Sequence, residues 1–183
     1  ETMTVRENVM VGIHHGVENK EIPNLYFSRQ DVINADSALS LVGLSDIADK
    51  VVSTLTHLEL KLLMIASAIT TNPKLLLLDE PVGGLIPNEI EKIEKVVARL
   101  VKEKGLTIIL IEHVMRFLVG LSDEVMIMNH GEKLYQGQAE EMINDKKVIE
   151  VYLGEGTSAN FQKLKKKKDN ILAEDENLSL VEE

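Results

Sequence analysis

The chain contains no cysteine and no tryptophan, and only 3% of its 183 residues are aromatic. The absence of cysteine excludes a disulfide-stabilised scaffold and zinc sites built on thiolates. No apolar run approaches the roughly 18 residues that a membrane-spanning helix needs. Acidic residues outnumber basic ones by 30 to 20, which gives a formal net charge of −10. This balance, with no large basic face, argues against nucleic acid as a partner.

What remains is rich in aliphatic residues. The hydrophobic fraction is 44%, and it supplies enough Leu, Ile and Val for a buried core. The length suits a single domain or part of one. We therefore expect a soluble, intracellular protein that reaches a membrane only through partner subunits.

The most informative stretch is LLLLDEP, residues 75–81, where four leucines run directly into an Asp-Glu pair and a proline. A short apolar run of this kind predicts a buried parallel strand. The strand would bring Asp79 and Glu80 to the edge of the sheet at which α/β proteins bind their ligands. Taken alone, the pair is equally consistent with a turn in which Asp79 caps the next helix.

The residues after this stretch predict an amphipathic helix. Apolar side chains recur at helical spacing over residues 88–104. Asn88 and Glu91 predict a capping box at its start, and Gly105 marks its end. The helix is long enough to cross back over the sheet, so the next strand can lie parallel to the first.

TIILI, residues 107–111, predicts that second strand, and it is followed by Glu112 and His113. Strand, helix and strand in this order form a right-handed crossover between parallel strands, so both strands end at the same edge of the sheet. We therefore expect Asp79, Glu80 and His113 to share one cleft.

Composition divides the chain into three parts. Residues 1–70 are predicted to be helical, residues 71–154 to hold the strand–helix–strand core, and residues 155–183 to form a charged, flexible tail or linker. In the first part, three pairs at capping-box spacing predict helix starts: Thr4 with Glu7, Ser28 with Asp31, and Thr56 with Glu59.

The second part also carries hairpin signals. Residues 124–136 predict two strands that turn at residues 129–131, which read Asn-His-Gly. A final short helix is expected near Glu140. His130 is most simply a turn residue.

Four segments together carry a resemblance to a known family: LLLLDEP, then GLIP, then TIILIEHVM, then SDEVMIMNHGEKLYQG. They resemble the second half of the nucleotide-binding module of ABC transporters, most closely the ATPase subunits of branched-chain amino-acid importers. VIEVYLGEG, residues 148–156, also resembles the end of those subunits. The resemblance covers residues 3–156. It implies an α/β fold, an incomplete P-loop NTPase core of ABC type with parallel strands and a crossover helix, preceded by a helical, signature-bearing subdomain.

In that family the acid ending the strand holds Mg²⁺ through water, the next Glu polarises the attacking water, and a later His contacts the γ-phosphate. Carried over by position, these roles fall on Asp79, Glu80 and His113. The resemblance therefore implies ATP and Mg²⁺ as cofactors. A metal-holding acid, a water-orienting carboxylate and a phosphate-contacting group are the parts that hydrolysis of a nucleoside triphosphate requires.

The family's signature, an LSGGQ-like motif at a helix start, contacts ATP held by the opposite subunit of a head-to-tail dimer. The aligned residues here are LTHLE, so Thr56, His57, Leu58 and Glu59 fall at the signature position. Thr56 can replace the Ser, and amides at a helix start favour an anion. Leu58 replaces a Gly, which would bring an isobutyl group to where phosphate would lie. Thr56 and Glu59 are equally explained as a capping box without any ligand.

Gly84, Leu85 and Ile86 occupy the position of the family's D-loop, which communicates across the dimer. Ile86 stands where many ABC modules carry an Asp. This replacement weakens the expected coupling between subunits, but it removes no catalytic group.

The family's phosphate-binding loop, GxxxxGK[ST], wraps the phosphates with backbone N–H groups. That motif is absent from the 183 residues. The family places the loop well over 78 residues before the strand-ending Asp, and residue 79 is that Asp in a chain that opens on Glu1. We therefore expect a truncated start, and we expect this chain alone neither to bind ATP tightly nor to hydrolyse it.

The expected function is that of an ABC-type ATPase, present here in part, which powers uptake of branched-chain or related amino acids. The expected partners are a second ABC ATPase subunit and integral-membrane permease subunits. Through those permeases the protein would lie in the cytoplasm at the inner face of the cell membrane.

The alternative is a degenerate, non-hydrolytic ABC module that acts as a pairing or regulatory partner. Intact Asp79, Glu80 and His113 favour the ATPase, whereas Leu58 and the missing phosphate loop favour the degenerate module. An in-frame GxxxxGK[ST] motif in the coding DNA upstream of Glu1 would distinguish them. An ABC-type DNA-repair ATPase is disfavoured, because the chain has neither a coiled-coil insertion nor basic faces.

Overall fold

The computed structural model describes residues 2–15, 27–142, 144–148 and 151. The chain forms two compact units, Glu1–Glu112 and His113–Glu183. The first unit therefore includes residues on both sides of the predicted boundary at residue 70. The predicted subdomain bounds stay a prediction, and the predicted tail, residues 155–183, lies outside the described residues.

Three helices of the first unit pack against one another: α1 (Val5–His15), α2 (Arg29–Val42) and α3 (His57–Ile69). Two short 3₁₀ turns, Ser45–Ile47 and Val52–Thr54, connect α2 to α3. The core of these helices consists of aliphatic side chains that are at most 9% exposed, among them Val5, Val9, Ala35, Leu39, Val42, Leu62, Leu63, Ile65 and Ala66.

The three capping boxes predicted within residues 1–70 are confirmed. In the box that begins α2, Ser28 Oγ accepts the N–H of Asp31 at 3.1 Å, and Asp31 Oδ2 accepts the N–H of Ser28 at 2.7 Å. The same reciprocal pair forms before α1 and before α3. Each box satisfies two N–H groups that a helix start leaves without an intrahelical partner.

The predicted strand–helix–strand unit is present as β1 (Leu75–Asp79), α4 (Pro87–Lys104) and β2 (Thr107–Ile111). The two strands pair in parallel, in a register that runs from Leu75 opposite Thr107 to Asp79 opposite Ile111. Helix α4 ends at Gly105 in a left-handed conformation, φ +62°, as predicted. The parallel pairing confirms that both strands end at the same edge.

The predicted capping box of Asn88 with Glu91 is wrong. Helix α4 begins at Pro87, with Ile86 as its N-cap. Proline already has the φ angle of a helix and lacks the N–H that the first helical position would leave unpaired. Glu89 Oε2 accepts the N–H of Ile86 at 3.0 Å, so Glu89 satisfies the helix start two residues before the predicted box.

The prediction of a fully buried first strand is also wrong. Only one face of the parallel pair is covered: Leu76 is 5% exposed, whereas Leu77 is 68% exposed. On the neighbouring strand, Ile109 and Ile111 are 54% and 65% exposed. Among the described residues this sheet has two strands and its second face is exposed, although parallel sheets normally have both faces covered.

The second unit contains α5 (Met115–Leu121), the antiparallel strands β3 (Glu124–Asn129) and β4 (Glu132–Gln138), α6 (Ala139–Met142) and α7 (Lys146–Val148). The predicted hairpin and the short helix near Glu140 are confirmed. His130 and Gly131 form the turn with φ +47° and +81°, as hairpin turns require. The core of this unit consists of Val119, Val125, Ile127, Ala139, Met142 and Val148.

None of the helices in the described part of the chain combines the length and the apolar character needed to cross a membrane.

The uncovered face of the parallel sheet leads to a prediction about association. Replacing Leu77 and Ile111 together by Asn should reduce concentration-dependent self-association, because exposed apolar patches drive association in water. Sedimentation velocity over a range of concentrations measures the effect. Ile33→Asn on α2, at a position that is 52% exposed, is the matched control and should behave as the unmodified chain. Equal self-association of all three proteins would contradict the prediction.

Candidate functional site

The acidic residues at the end of β1 lie at the carboxyl edge of the parallel sheet. Asp79 is the last residue of β1 and pairs with Ile111. The N–H of Glu80 then donates to the carbonyl of Ile111 at 2.8 Å, which continues the ladder one residue further. Asp79 and Glu80 are both exposed. The register therefore presents two neighbouring carboxylates to solvent at the edge where parallel sheets bind ligands.

Glu80 has a backbone conformation that is uncommon for a residue with a side chain. Its φ is +47°, in the left-handed region that costs an ordinary L-residue about 1–2 kcal/mol. Its carbonyl oxygen accepts the N–H of Gly83 at 3.2 Å and the Nζ of Lys61 at 2.7 Å. Strain of this kind persists only where surrounding groups hold it, and it is often found at functional sites. We refer to residues 80–84 as the Glu80 turn.

A second charged side chain contacts this turn from β2. Glu112 Oε1 accepts the N–H of Val82 at 2.9 Å. Neither Glu112 nor Lys61 was predicted from the sequence to have a role. Glu112 could have been found, because it directly follows Ile111 and the parallel register places it beside the residue after Asp79. Lys61 had no comparable signal, since only tertiary packing brings α3 to the turn.

Helix α3 also contacts the turn through His57. The imidazole Cε1 of His57 lies 2.9 Å from the position that a Cβ would take at Gly84, where φ is +77°. His57 and Lys61 are four residues apart and so share one face of α3. One face of α3 therefore contacts the Glu80 turn, and this contact joins the predicted signature position to the predicted D-loop within one chain.

The remaining residues at the signature position serve the start of α3. Thr56 Oγ1 accepts the N–H of Glu59 at 3.3 Å, and Glu59 Oε2 accepts the N–H of Thr56 at 2.6 Å. Leu58 is only 8% exposed, so its isobutyl group is packed in the interior. Contact of Thr56, His57, Leu58 and Glu59 with nucleotide stays a prediction.

The residues at the D-loop position lead directly into the start of α4. Leu85 donates its N–H to the carbonyl of Val82 at 3.2 Å, and Ile86, which is 57% exposed, forms the N-cap of α4. An isoleucine has no side-chain acceptor, so it cannot cap the helix through its side chain. The hydrogen bond at this helix start is the one that the side chain of Glu89 accepts from the N–H of Ile86. A role of Gly84, Leu85 and Ile86 across a dimer stays a prediction.

His113 is the first residue of the second compact unit, whereas Asp79 and Glu80 belong to the first. The common cleft expected for these three residues therefore stays a prediction. In the sequence, His113 follows Glu112 directly.

The surroundings of Asp79 fit a magnesium ion that is bound jointly by the protein and a nucleotide. They fit less well an ion whose ligands all come from the protein. Among the described residues, no three His, Asp or Glu side chains are grouped closely enough to hold a metal. Mg²⁺ keeps several waters and is commonly bound through one or two carboxylates plus the phosphates of a substrate. The exposed carboxylate of Asp79 at the sheet edge fits that kind of binding.

A cavity of about 270 Å³ lies at the opposite end of the strands, and its lining includes Lys74, Lys104 and Thr70. Helices α3 and α4 both end beside it, at Ile69 and Lys104. The partial negative charge of two helix C-termini disfavours an anion there. We therefore do not assign phosphate binding to this cavity.

Comparison with known proteins gives concordant matches. The model of the family described as ABC transporter matches residues 1–83. The high-affinity branched-chain amino acid transport ATP-binding protein LivG of Salmonella typhimurium is 36% identical over 160 residues, which cover 84% of this chain and 63% of LivG. BraF of Pseudomonas aeruginosa, of the same description, is 32% identical with the same coverage.

A solved structure of an ATP-binding cassette of an ABC transporter, in its ADP conformation, superimposes with a TM-score of 0.72. It is 28% identical, and the match covers 84% of this chain and 64% of that structure. The α/β fold predicted from the sequence is thereby confirmed. The chain spans 63% of the length of the LivG and BraF proteins that it matches.

The contact between His57 and Gly84 can be tested by a mutant cycle. Gly84→Ala should lower the free energy of unfolding by about 1–2 kcal/mol for the left-handed backbone, plus about 0.5 kcal/mol or more for displacing the imidazole. Gly43→Ala is the matched control, because Gly43 has the same φ of +77° with nothing within 4 Å of its added Cβ. Urea unfolding measures both. If His57→Ala does not reduce the excess cost at Gly84, the contact is not formed in solution.

The capping carboxylate of α3 makes stability depend on pH. The N–H of Thr56, helped by the nearby ammonium of Lys50, holds the pKa of Glu59 below its ordinary value. Because the folded-state pKa is depressed, this stabilisation is present above the unfolded-state pKa of about 4.3 and is lost as pH falls through the folded-state value.

Glu59→Gln keeps an acceptor for the Thr56 N–H but removes the titration. The unmodified chain should exceed this variant in free energy of unfolding by about 0.5 kcal/mol at pH 7. The difference should shrink as pH falls below the unfolded-state pKa of about 4.3 and vanish once pH lies below the folded-state pKa of Glu59, which urea unfolding across pH measures. A difference that stays constant with pH would show that Glu59 is not held in this way.

Proposed function

We propose that this chain, which is similar to ABC transporter ATP-binding proteins, belongs to their family and provides the metal-holding and water-polarising part of an ATP-hydrolysing importer subunit. The observation that carries the proposal is the parallel register of β1 and β2, which sets Asp79 and Glu80 at one sheet edge. The held conformation of Glu80, at φ +47°, supports it further.

Asp79 is the residue that would hold Mg²⁺ through water, since it is exposed at the end of β1. When bound, ATP with Mg²⁺ supplies an electrophilic γ-phosphoryl group whose charge the metal neutralises. The carboxylate of Glu80 would accept a hydrogen bond from the attacking water and keep it in line with the phosphorus. His113 would donate to a γ-phosphate oxygen.

The phosphates themselves need a cradle that these residues do not provide. No GxxxxGK[ST] sequence occurs in the 183 residues, and the chain spans 63% of the length of its curated relatives. Hydrolysis therefore requires a phosphate loop from residues outside this chain as given. On its own, the chain is proposed to be inactive.

The proposed partners are a second ABC ATPase subunit and integral-membrane permeases at the inner face of the cell membrane. In a head-to-tail dimer, the start of α3 at Thr56 would contact the ATP of the opposite subunit. LivG and BraF are described as ATP-binding proteins of branched-chain amino acid transport. We propose the same substrate class for the transporter that contains this chain.

One observation favours the non-hydrolytic alternative. At the signature position, Leu58 replaces glycine and is packed inside, while Thr56 and Glu59 bond to each other as a capping box. A helix start built in this way is stable without nucleotide. A degenerate module would keep this contact surface for pairing while it had lost hydrolysis.

Glu80→Gln decides between these functions. ATP hydrolysis is measured on the complex purified from membranes through an affinity tag on the native protein that contains this chain, because the chain as given has no phosphate loop. The ATPase proposal expects permease subunits in the complex and a loss of steady hydrolysis of about 100-fold or more in the variant, the usual effect of removing a general base. Nucleotide binding should persist.

Glu103→Gln is the matched control, because Glu103 is an exposed residue of α4 whose contact with Arg99 spans 3.6 Å. It should leave hydrolysis unchanged. Turnover that survives Glu80→Gln would remove Glu80 from the mechanism, and an unmodified complex without turnover would favour the non-hydrolytic module.

A further inference from the structure

Two charged side chains from different elements hold the backbone of the Glu80 turn. Lys61, on α3, donates from Nζ to the carbonyl of Glu80 at 2.7 Å. Glu112, after β2, accepts the N–H of Val82 through Oε1 at 2.9 Å. The two contacts lie on either side of Pro81, which has no N–H to donate. The carbonyl of Glu80 is therefore held by a cation, and the N–H of Val82 is held by an anion.

In both contacts the charge of the side chain strengthens the hydrogen bond. An ammonium donating to a carbonyl and a carboxylate accepting from an amide are charge-assisted, and such bonds are shorter and stronger than neutral ones. Lys61 is half-buried, so fixing it there costs side-chain entropy that a free surface lysine would keep. Val82 is only 1% exposed, so its N–H cannot rely on water and depends on Glu112 as acceptor. The carbonyl of Glu80 lies at the surface, where water could take the place of Lys61.

These contacts hold the backbone of Glu80 in a left-handed conformation that is unfavourable for this residue without them. Its φ of +47° is unfavourable for a residue with a Cβ. The proline at 81 disfavours the right-handed helical region for the residue before it. Extended backbone is therefore the conformation to which an unheld Glu80 would relax, and that change would redirect its side chain from the same Cα.

We propose that Lys61 and Glu112 are positioning residues, which aim the Glu80 carboxylate by fixing the backbone of the Glu80 turn. The inference rests on the proposed function, in which Glu80 orients the attacking water. In-line attack tolerates little error in the position of the water, so a redirected carboxylate lowers turnover without weakening the binding of nucleotide. Lys61 and Glu112 need not touch the nucleotide to have this effect.

The first test is independent of activity. Amide hydrogen exchange is measured in the 183-residue chain. Lys61→Met keeps the length of the side chain but removes its donor, and it should speed exchange at Gly83, whose N–H bonds to the Glu80 carbonyl. Glu112→Ala should speed exchange at Val82. The loss of one such bond corresponds to about tenfold in rate. Lys95→Met, an exposed lysine of α4, is the control and should change neither rate.

The second test measures ATP turnover in the complex purified through the native protein that contains this chain. Lys61→Met and Glu112→Ala should each lower kcat about tenfold or more and leave the KM for ATP within about twofold, because the loss is one of orientation. Lys61→Arg, which can still donate to the carbonyl, should recover most of the kcat. A residue that only stabilises the fold would not separate kcat from KM in this way.

The outcomes separate the two proposals. If Glu80→Gln abolishes turnover while Lys61→Met and Glu112→Ala keep normal kcat, the positioning role is overturned and the ATPase function stands. If Glu80→Gln keeps its turnover, the role of Glu80 in orienting water fails and the positioning role fails with it. Exchange at Val82 and Gly83 that is unchanged in the variants overturns the positioning role whatever the turnover. Circular dichroism of each variant establishes that it is folded, and Glu112→Gln, which keeps an oxygen acceptor, is used if Glu112→Ala is not.

Discussion

The hydrogen-bond ladder between β1 and β2 is the constraint on which the candidate site depends. It runs in parallel from Leu75 opposite Thr107 to Asp79 opposite Ile111, and the N–H of Glu80 extends it to the carbonyl of Ile111. A slip of one residue would turn Asp79 to the other face of the sheet, since side chains alternate along a strand. It would also move Glu112 away from the N–H that it accepts. The position of every acid at this edge therefore follows from one register.

Packing of helix α3 is a second constraint on the candidate site. Its apolar residues, such as Leu62 and Ile65, pack inside the first unit, and this packing fixes the rotation of the helix. Once that rotation is set, His57 and Lys61 contact the Glu80 turn because they share a face four residues apart. The helix start and the turn are thus coupled by rigid packing. In an ABC cassette this would connect the segment facing the opposite subunit to the carboxylate proposed to orient water.

Among the described residues, one face of the parallel sheet is exposed. Leu77, Ile109 and Ile111 are each more than half exposed, although parallel strands are normally covered on both faces. LivG and BraF are longer than this chain, which spans 63% of them. The apolar composition of β1 and β2 is therefore appropriate to strands with two covered faces, and only one of those faces is covered by the residues described here.

Local chemistry determined much of this protein from its sequence alone. The capping boxes, the strands, the crossover helix and the hairpin depend on neighbouring residues, so spacing was enough to find them. The start of α4 was missed because Pro87 competes with Asn88 for the helix start. The acids Asp79 and Glu80 were found because they end an apolar strand. Glu112 follows from the parallel register, since it directly follows Ile111. Only the tertiary structure decided that Lys61 and His57 contact the turn around Glu80, because those contacts join distant residues and depend on packing that no local pattern encodes.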